Sequence, residues 1–488
     1  MADQSLKSKT LKGLAWQFGL KFFSQFFTFF VTLILTRLLT PEDYGVCALA
    51  GMFSVLMGIF VNGSMDAALI QKKNADELDY NTVFYSSLVM GVVMYVIVFF
   101  VAPIIADIYD NDLICSIMRV SGLSLPICAS IFVQNAIVTK RMEFQKFFYR
   151  SFIVQVTAAI VGITMAYSGY GPWSLVGQGL TSCILNVLVM FCLIRWSPKL
   201  EFSWCRFREL FSYAWKKTAA NFMGTLGNQM KGYLIGYKYT SADLAYFNRG
   251  ESLPDMLKNN IAGTIDGVLF PAISKLQDDK IALKHAFRRS IMTTNYAITP
   301  GLLGLAATAD KIVPLLYSEK WAPAVPFMMV ACFSVIVVVL NNSNLQVLYA
   351  IGRTDVVMKQ EFIKKPVMMA ILFTAIFISP LAIAIGILFH NIHELFWTTY
   401  ANAKYINYSL KEQLNDIKYG LLIGLCMFAL VTIIGLFIEN TYIALAIQII
   451  VGLIIYISLS EILKPEAYIY TKTLVLEKVG KKFQRLRR

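Results

Sequence analysis

Cationic side chains stand where hydrocarbon is expected. Lys21, Arg119, Lys216, Lys217, Lys231, Arg249 and Lys258 lie inside runs otherwise rich in Leu, Ile, Val and Phe. Some of them fall into a pattern. Gln17, Lys21, Gln25 and Thr28 recur at i, i+4, i+8 and i+11, one face of a helix. Two hundred residues on, Lys217, Asn221, Thr225 and Asn228 repeat that face, and Lys231 continues it; Arg249 and Lys258 follow, with Glu251 and Asp255 between them. Ammonium and guanidinium groups bind phosphate oxygens through charge-assisted hydrogen bonds, and neutral amides and hydroxyls suit sugar hydroxyls. Each Lys or Arg at a bilayer centre costs roughly 2.5–3.5 kcal/mol. All of them facing lipid would cost on the order of 20 kcal/mol, beyond the stability of a typical domain. Lys216, near a helix end, can snorkel to the headgroups. Lys21, Lys217, Lys231, Arg249 and Lys258 are therefore expected to line a wet, net-cationic cavity for an anionic substrate, with Gln17, Gln25, Thr28, Asn221 and Asn228 as polar lining.

The acids within spans are fewer. Asp66 and Asp266 are candidates for a gating or ion-coupling role, or for structural pairs with nearby lysines. Glu251 and Asp255 share that candidacy, and Asp255 sits i, i+3 from Lys258, the spacing of an intrahelical pair. His390, His393 and Glu394 spell H-x-x-H-E, which is not the zinc-protease spacing; a protonatable pair within a membrane is the livelier reading. His285 falls in a basic, solvated loop. The eight cysteines show no paired spacing and sit mostly in apolar runs, as buried small hydrophobes do and disulfides or metal ligands do not. No catalytic constellation, metal site or resident cofactor is expected. No P-loop appears either, which leaves coupling to H+ or Na+, or the substrate's own gradient.

The elements that position these groups follow from composition. The chain has 488 residues, 57% of them apolar and 15% charged, with mean hydropathy +0.60, against about 45–50% and 25% in soluble domains. A water-soluble enzyme is excluded. At about 20 residues per span, apolar runs at 13–37, 44–70, 82–107, 113–138, 151–168, 173–195, 211–236, 244–270, 290–308, 322–350, 366–380, 382–402, 419–437 and 442–462 predict an all-α polytopic protein of about 14 transmembrane helices. Most of the 44 Lys and Arg then fall in alternate connections, and only Arg37, Lys238, Lys311 and Lys320 lie in the others. That bias places both termini in the cytoplasm and accounts for the net charge of +14 without nucleic-acid binding. The N-terminal apolar stretch is too long for a signal peptide and is expected to be retained. The stretch 139–150 reads as an amphipathic interfacial elbow, and the basic tail 478–488 as a headgroup contact. The extracytoplasmic loops are too short to build a glycosyltransferase or polymerase site.

An internal repeat organises the helices. Residues 59–70 align with 259–270 at an offset of 200, matching Gly63 with Gly263, Asp66 with Asp266 and Leu69 with Leu269; Thr40 and Asp43 match Thr240 and Asp243. An offset of six helices makes the halves parallel repeats, with the substrate path at their interface. The expected domains are an N-lobe at 1–208, a C-lobe at 209–403, a further helix pair at 404–462 and a basic tail at 463–488.

Several phrases carry a family likeness: LTRLLTPEDYGVCALA (35–50), RMEFQKF (141–147), YGPWSLVGQGL (170–180), YTSADLAYFNRGESLP (239–254) and LFPAISKLQDD (269–279). In order and spacing they resemble the Wzx-type polysaccharide-biosynthesis flippases, nearest the WzxC-like branch, of the multidrug/oligosaccharidyl-lipid/polysaccharide (MOP) exporter superfamily. The likeness runs from about residue 8 to 403. It implies two six-helix lobes working by alternating access, often with two extra helices. The implied cargo is an undecaprenyl-diphosphate-linked oligosaccharide, flipped from the cytoplasmic to the periplasmic leaflet of a bacterial inner membrane. Membrane lipids, a polysaccharide polymerase and glycosyltransferases are the implied neighbours. Family members often use cavity arginines; here the matching faces carry mostly Lys, with Arg249 on the eighth helix. A cation-coupled multidrug exporter of the same superfamily predicts twelve helices and an acidic cavity. A membrane-embedded polymerase or assembly component needs a large outer loop or no polar lumen. Both fit the sequence less well.

Overall fold

The computed structural model describes residues 2–72, 74–274, 276 and 279–473, and side chains within them except at 2–15, 17, 18, 213 and 261–274. The side chains of Gln17 and Asp266, and the basic tail 478–488, therefore lie outside the described residues. The described chain is helical throughout and divides into two compact units, Met1–Ala245 and Tyr246–Arg488.

The first unit contains α1 (Ala2–Leu38), α2 (Pro41–Asn62), α3 (Met65–Gln71), α4 (Glu77–Ile108), α5 (Asp112–Gly122), α6 (Ser124–Ala129), α7 (Phe132–Arg141), α8 (Phe144–Tyr167), α9 (Trp173–Leu193) and α10 (Trp204–Lys238). α1 packs on α8, α8 on α9, and α10 on α2, α3 and α4. The long helix predicted at 211–236 thus begins at Trp204 and belongs by contact to the first unit. Helix starts are written in the sequence. Thr40 and Asp76 each head a capping box with Asp43 and Asp79, three residues on, and Pro41 opens α2. Gly63 and Ser64 take left-handed φ of 53° and 52°, which ends α2 and offsets α3. The single helix predicted at 113–138 is three short ones, α5 to α7, with breaks at Leu123 and at Ser130–Ile131.

The second unit contains most of α11 (Ser241–Ser274), then α12 (Lys280–Ala307), α13 (Ala309–Tyr317), a 3-10 turn (Glu319–Ala324), α14 (Val325–Ala350), α15 (Thr354–Ala375), α16 (Pro380–Ile406), α17 (Leu410–Leu436) and α18 (Thr441–Leu463). α14 packs on α16, α15 on α16, α12 on α14 and α17, and α17 on α18. The predicted outer loop 309–321 is folded as α13 and the 3-10 turn, pinned by fully buried Trp321. Where Gly63 breaks the first unit's helix, the backbone of α11 runs unbroken through the matching residues 263–266.

Ten stretches among the described residues are long and apolar enough to cross a bilayer. α10, α11, α12 and α15, of 35, 34, 28 and 22 residues, lie where spans were also predicted and carry more polar residues. At 1.5 Å per residue each reaches about 30 Å or more. α4 and α18 expose ladders such as Val89, Val93, Ile97 and Phe100, or Ile443, Ile450, Leu453 and Ile457, surface that suits acyl chains. The architecture is all-α and polytopic, as the sequence predicts.

One expectation is corrected. Cys128 and Cys183 are disulfide-bonded, with Cα atoms 6.0 Å apart. They sit 55 residues apart on α6 and α9, and it is the packing of those helices that pairs them, which linear spacing does not reveal.

Candidate functional site

Two exposed faces of different chemistry run along α1. Phe23 and Phe27 pack inward, Phe23 against Phe148 and Phe152 of α8 at centroid distances of 5.8 and 5.3 Å, and Gln155 Nε2 donates to Ser24 Oγ at 2.8 Å. Phe22, Phe26 and Phe30 form an exposed ladder. Lys21 and Thr28 are exposed and Gln25 is half-buried on a third side. At 100° per residue the polar stripe lies roughly 140° from the centre of the Phe ladder. One helix thus offers an apolar surface suited to lipid and a separate polar, cationic surface suited to water or an anion.

On α10, Lys217, Asn221 and Asn228 are exposed, Thr225 is half-buried and Lys231 is half-buried and engaged. The helix is held by Phe222 on Phe60 (4.9 Å), Tyr233 on Phe53 (4.9 Å), and a bond from Tyr109 Oη to the Tyr233 carbonyl (3.3 Å). Gly232 and Gly236 admit Met52 and Leu49 so closely that a Cβ at either would clash.

α11 holds the remaining candidates. Arg249 stacks on Tyr317 and Trp321, its Cζ 5.1 and 5.2 Å from the ring centroids. Both rings are buried, so this guanidinium is held by the segment folded as α13 and the 3-10 turn. Lys258 Nζ donates to Asp255 Oδ1 at 2.5 Å, the i, i+3 pair; its charge is met within its own helix. Glu251 is half-buried. Asp66 accepts from the Ala67 amide at 2.7 Å and makes no ion pair among the described residues.

Sequence reasoning missed a polar core in the second unit. Lys364 of α15 is 1% exposed and donates to Glu394 of α16 (2.9 Å) and to Glu361 (2.8 Å). Nearby, buried amides knit α14, α16 and α17. Asn344 and Gln413 exchange bonds at 3.0 and 2.9 Å, Asn402 donates to Asn344 Oδ1 at 2.6 Å, and Asn391 donates to Ser334 at 2.7 Å. Such amides glue helices in lipid. The run NNSN at 341–344, inside an otherwise apolar segment, was the available signal.

Ion pairs gather at the predicted cytoplasmic connections. Fully buried Asp79 accepts from Lys72 at 3.0 Å and lies 3.6 Å from Arg206, which also pairs with Asp76 at 3.2 Å; Lys72 reaches Glu209 at 3.2 Å. Burial opposes the charge on Lys72, but its bonds to Asp79 and Glu209 outweigh this and hold the ammonium above the usual lysine range. The Asp79 amide, with Arg206, holds Asp76 below the usual carboxylate range. In the second unit Arg288 grips Asp416 through two bonds of 2.8 Å and reaches Glu466 at 2.9 Å.

With that geometry in view, residues 34–326 match the family described as "Polysaccharide biosynthesis protein". The chain belongs to this family. It is 23% identical over 314 residues to the succinoglycan biosynthesis transport protein ExoT of Rhizobium meliloti (strain 1021), a match covering 64% of this chain and 62% of that protein. It is 21% identical over 361 residues to the lipopolysaccharide biosynthesis protein WzxC of Escherichia coli (strain K12), covering 73% of each. Its fold is similar to that of the lipid II flippase MurJ in an inward closed conformation, with TM-score 0.72 at 14% identity over 92% of this chain and 98% of that one. The polysaccharide-biosynthesis resemblance read from the sequence is thereby borne out: this is a multi-pass membrane protein of the polysaccharide-biosynthesis family, with relatives that include WzxC and ExoT. No group of three or more His, Cys, Asp or Glu that could hold a metal occurs among the described residues.

Proposed function

We infer that this protein is a non-enzymatic flippase that carries an undecaprenyl-diphosphate-linked oligosaccharide from the cytoplasmic to the periplasmic leaflet of a bacterial inner membrane. The observation that carries the reading is the polar stripe of α1, with Lys21, Gln25 and Thr28 on a side separate from the Phe22–Phe26–Phe30 ladder. A diphosphate crossing hydrocarbon needs compensating positive charge. Lys21, Lys217 and Lys231 supply it in this proposal, together with Arg249, which Tyr317 and Trp321 hold. Lys258 contributes less, because Asp255 already neutralises it. Gln25, Asn221 and Asn228 meet sugar hydroxyls.

Two repeat-related lobes followed by a helix pair, both termini in the cytoplasm, are the proposed frame, and an H+ or Na+ gradient the proposed energy source. Polymerase and glycosyltransferases are the proposed neighbours, since they consume and make the lipid-linked unit. The multidrug reading is disfavoured by the cationic character of the stripe, because a cationic drug would be repelled by it.

The test is deletion of the gene followed by lipid extraction. Lipid-linked repeat units accumulating on the cytoplasmic side support the reading; unchanged lipid pools overturn it.

A further inference from the structure

Ionisable side chains outside the cationic face collect on one stripe of α16 and the facing side of α15. His390, His393, Glu394 and Trp397 recur at i, i+3, i+4 and i+7. His393 stands at the middle of Pro380–Ile406, a helix long and apolar enough to cross a bilayer. Trp397 Nε1 donates to His393 Nε2 at 3.0 Å. An indole N–H only donates, so Nε2 must present a lone pair and His393 is the neutral tautomer carrying its proton on Nδ1. That Nδ1 is buried without a hydrogen-bond partner among the described residues, and so is Nδ1 of His390. An orphaned polar atom at membrane depth is costly and asks for a purpose.

The charges facing this stripe balance, two lysines against two glutamates, with Lys364 shared between both acids. From α15, Lys364 sits between Glu361 and Glu394 at 2.8 and 2.9 Å, and Lys365 reaches Glu361 at 3.6 Å from a more exposed position. α14 brings no charged side chain; its titratable groups are Cys332 and Tyr349, and it meets α16 through Ser334, Asn341 and Asn344. α12 and α17 bring Lys284, Arg288, Glu412 and Asp416 only to the far end, beside Asn407 and Tyr408, about 20 Å along the helix from His393. Next to Lys364, Pro366 interrupts the hydrogen-bond ladder of α15, a natural flexing point.

We propose that the His390–His393–Glu394–Lys364 cluster between α15 and α16 is a proton-binding site. A proton arriving adds to His393 Nε2, the only change in covalent bonding. The Trp397 hydrogen bond breaks because its acceptor lone pair is consumed, and the imidazolium is drawn to Glu394 in competition with Lys364. That contest changes the α15–α16 contact at the Pro366 flexing point. As the site coupling transport to a proton gradient, the inference rests on the flippase reading; as a proton site it stands alone.

The experiment uses the purified full chain in lipid vesicles with no substrate. Trp397 is one of seven tryptophans, so its signal is the fluorescence of the protein minus that of Trp397→Phe, titrated from pH 4.5 to 8.5. The expected result is a one-proton step within that range, abolished in His393→Gln. His393→Asn replaces His393→Gln should the latter fail to insert. A Trp397 signal flat across that range, or a step that survives loss of His393, overturns the proposal. Because no substrate is present, a flat titration leaves the flippase reading intact, and unchanged lipid pools in the deletion strain leave the proton site intact.

Discussion

Asp43 and Asp243, two hundred residues apart, each close the same reciprocal pair of bonds with a threonine three positions earlier. Thr40 N donates to Asp43 Oδ2 at 2.9 Å and Asp43 N to Thr40 Oγ1 at 3.2 Å; at Thr240 and Asp243 both distances are 3.1 Å. The identities that mark the repeat in sequence thus do the same physical work twice, starting a long helix after a short turn. Thr40→Ala and Thr240→Ala should each cost about 1 kcal/mol, with the double variant near the sum. Thermal unfolding in detergent reads this; a marked inequality between the two would deny that the motif is equivalent in its two settings.

The two helix starts touch at a glycine. A Cβ on Gly45 would stand 1.9 Å from the Ser241 carbonyl oxygen, and backbone cannot yield as a side-chain tip can. Gly45→Ala should cost about 3 kcal/mol or more. Gly58→Ala is the control, since its nearest neighbour lies 3.9 Å away; a helix-interior alanine there should leave stability equal or improved by about 0.5–1 kcal/mol. Comparable losses in both variants would contradict the close approach.

Lys364 is enclosed between two carboxylates. Removing it leaves Glu394 without its ion-pair partner and Glu361 with only the more distant Lys365, and Lys364→Met should lower stability by about 3 kcal/mol, at the small end for a broken buried pair because both acids keep some access to water. Lys364→Met combined with Glu394→Gln should recover part of that loss. The unfolding midpoints of single and double variants supply the comparison, and a double variant worse than the single would show that the triad is not acting as charge compensation.

Apolar runs located most of the long helices, because 20-odd hydrophobic residues admit few alternatives in a bilayer; α11, too polar for that signal, was placed by the internal repeat, and α15 was placed about twelve residues late. The apolar pattern did not show the interruptions at Gly63–Ser64, Leu123 and Ser130–Ile131, where one or two residues leave helical geometry without altering mean hydropathy. Nor did it show the partners of the charges. Lys258 was legible as a pair with Asp255 because i, i+3 spacing is local. Arg249 on Tyr317 and Trp321, and Lys364 with Glu394, depend on helices brought together from 30 to 70 residues away. Lys364 fell within a connection in the predicted span map and so escaped notice, while the helix that carries it begins at Thr354.

At the connection between α3 and α4 the depressed carboxyl of Asp76 makes stability depend on pH with a definite sign. Its folded-state pKa lies below the unfolded value, so its contribution is complete above the ordinary carboxylate range and drains away as pH falls through the folded value. The difference in unfolding midpoint between the protein and Asp76→Asn should be constant from pH 5 to 8 and shrink below about pH 4. A difference that grows on acidification would reverse the assigned direction.

Lys21 and Lys217 separate the transport reading from a purely structural one. Both are exposed, and surface substitutions usually change stability little, so Lys21→Ala with Lys217→Ala should leave membrane insertion and unfolding midpoint within about 0.5 kcal/mol of the parent. A charged hydrogen bond to a phosphate is worth about 1.5–3 kcal/mol, so each loss should slow translocation by about 10- to 150-fold, and the pair should fail to complement a deletion strain. Arginine at both positions should restore activity, since it offers phosphate the same charge. Lys216→Ala is the matched control: adjacent to Lys217 but free to snorkel, it should retain near-parental activity. Full activity in the Lys21/Lys217 double alanine variant, judged by lipid-linked repeat units reaching the outer leaflet, would mean that the diphosphate travels past some other set of charges.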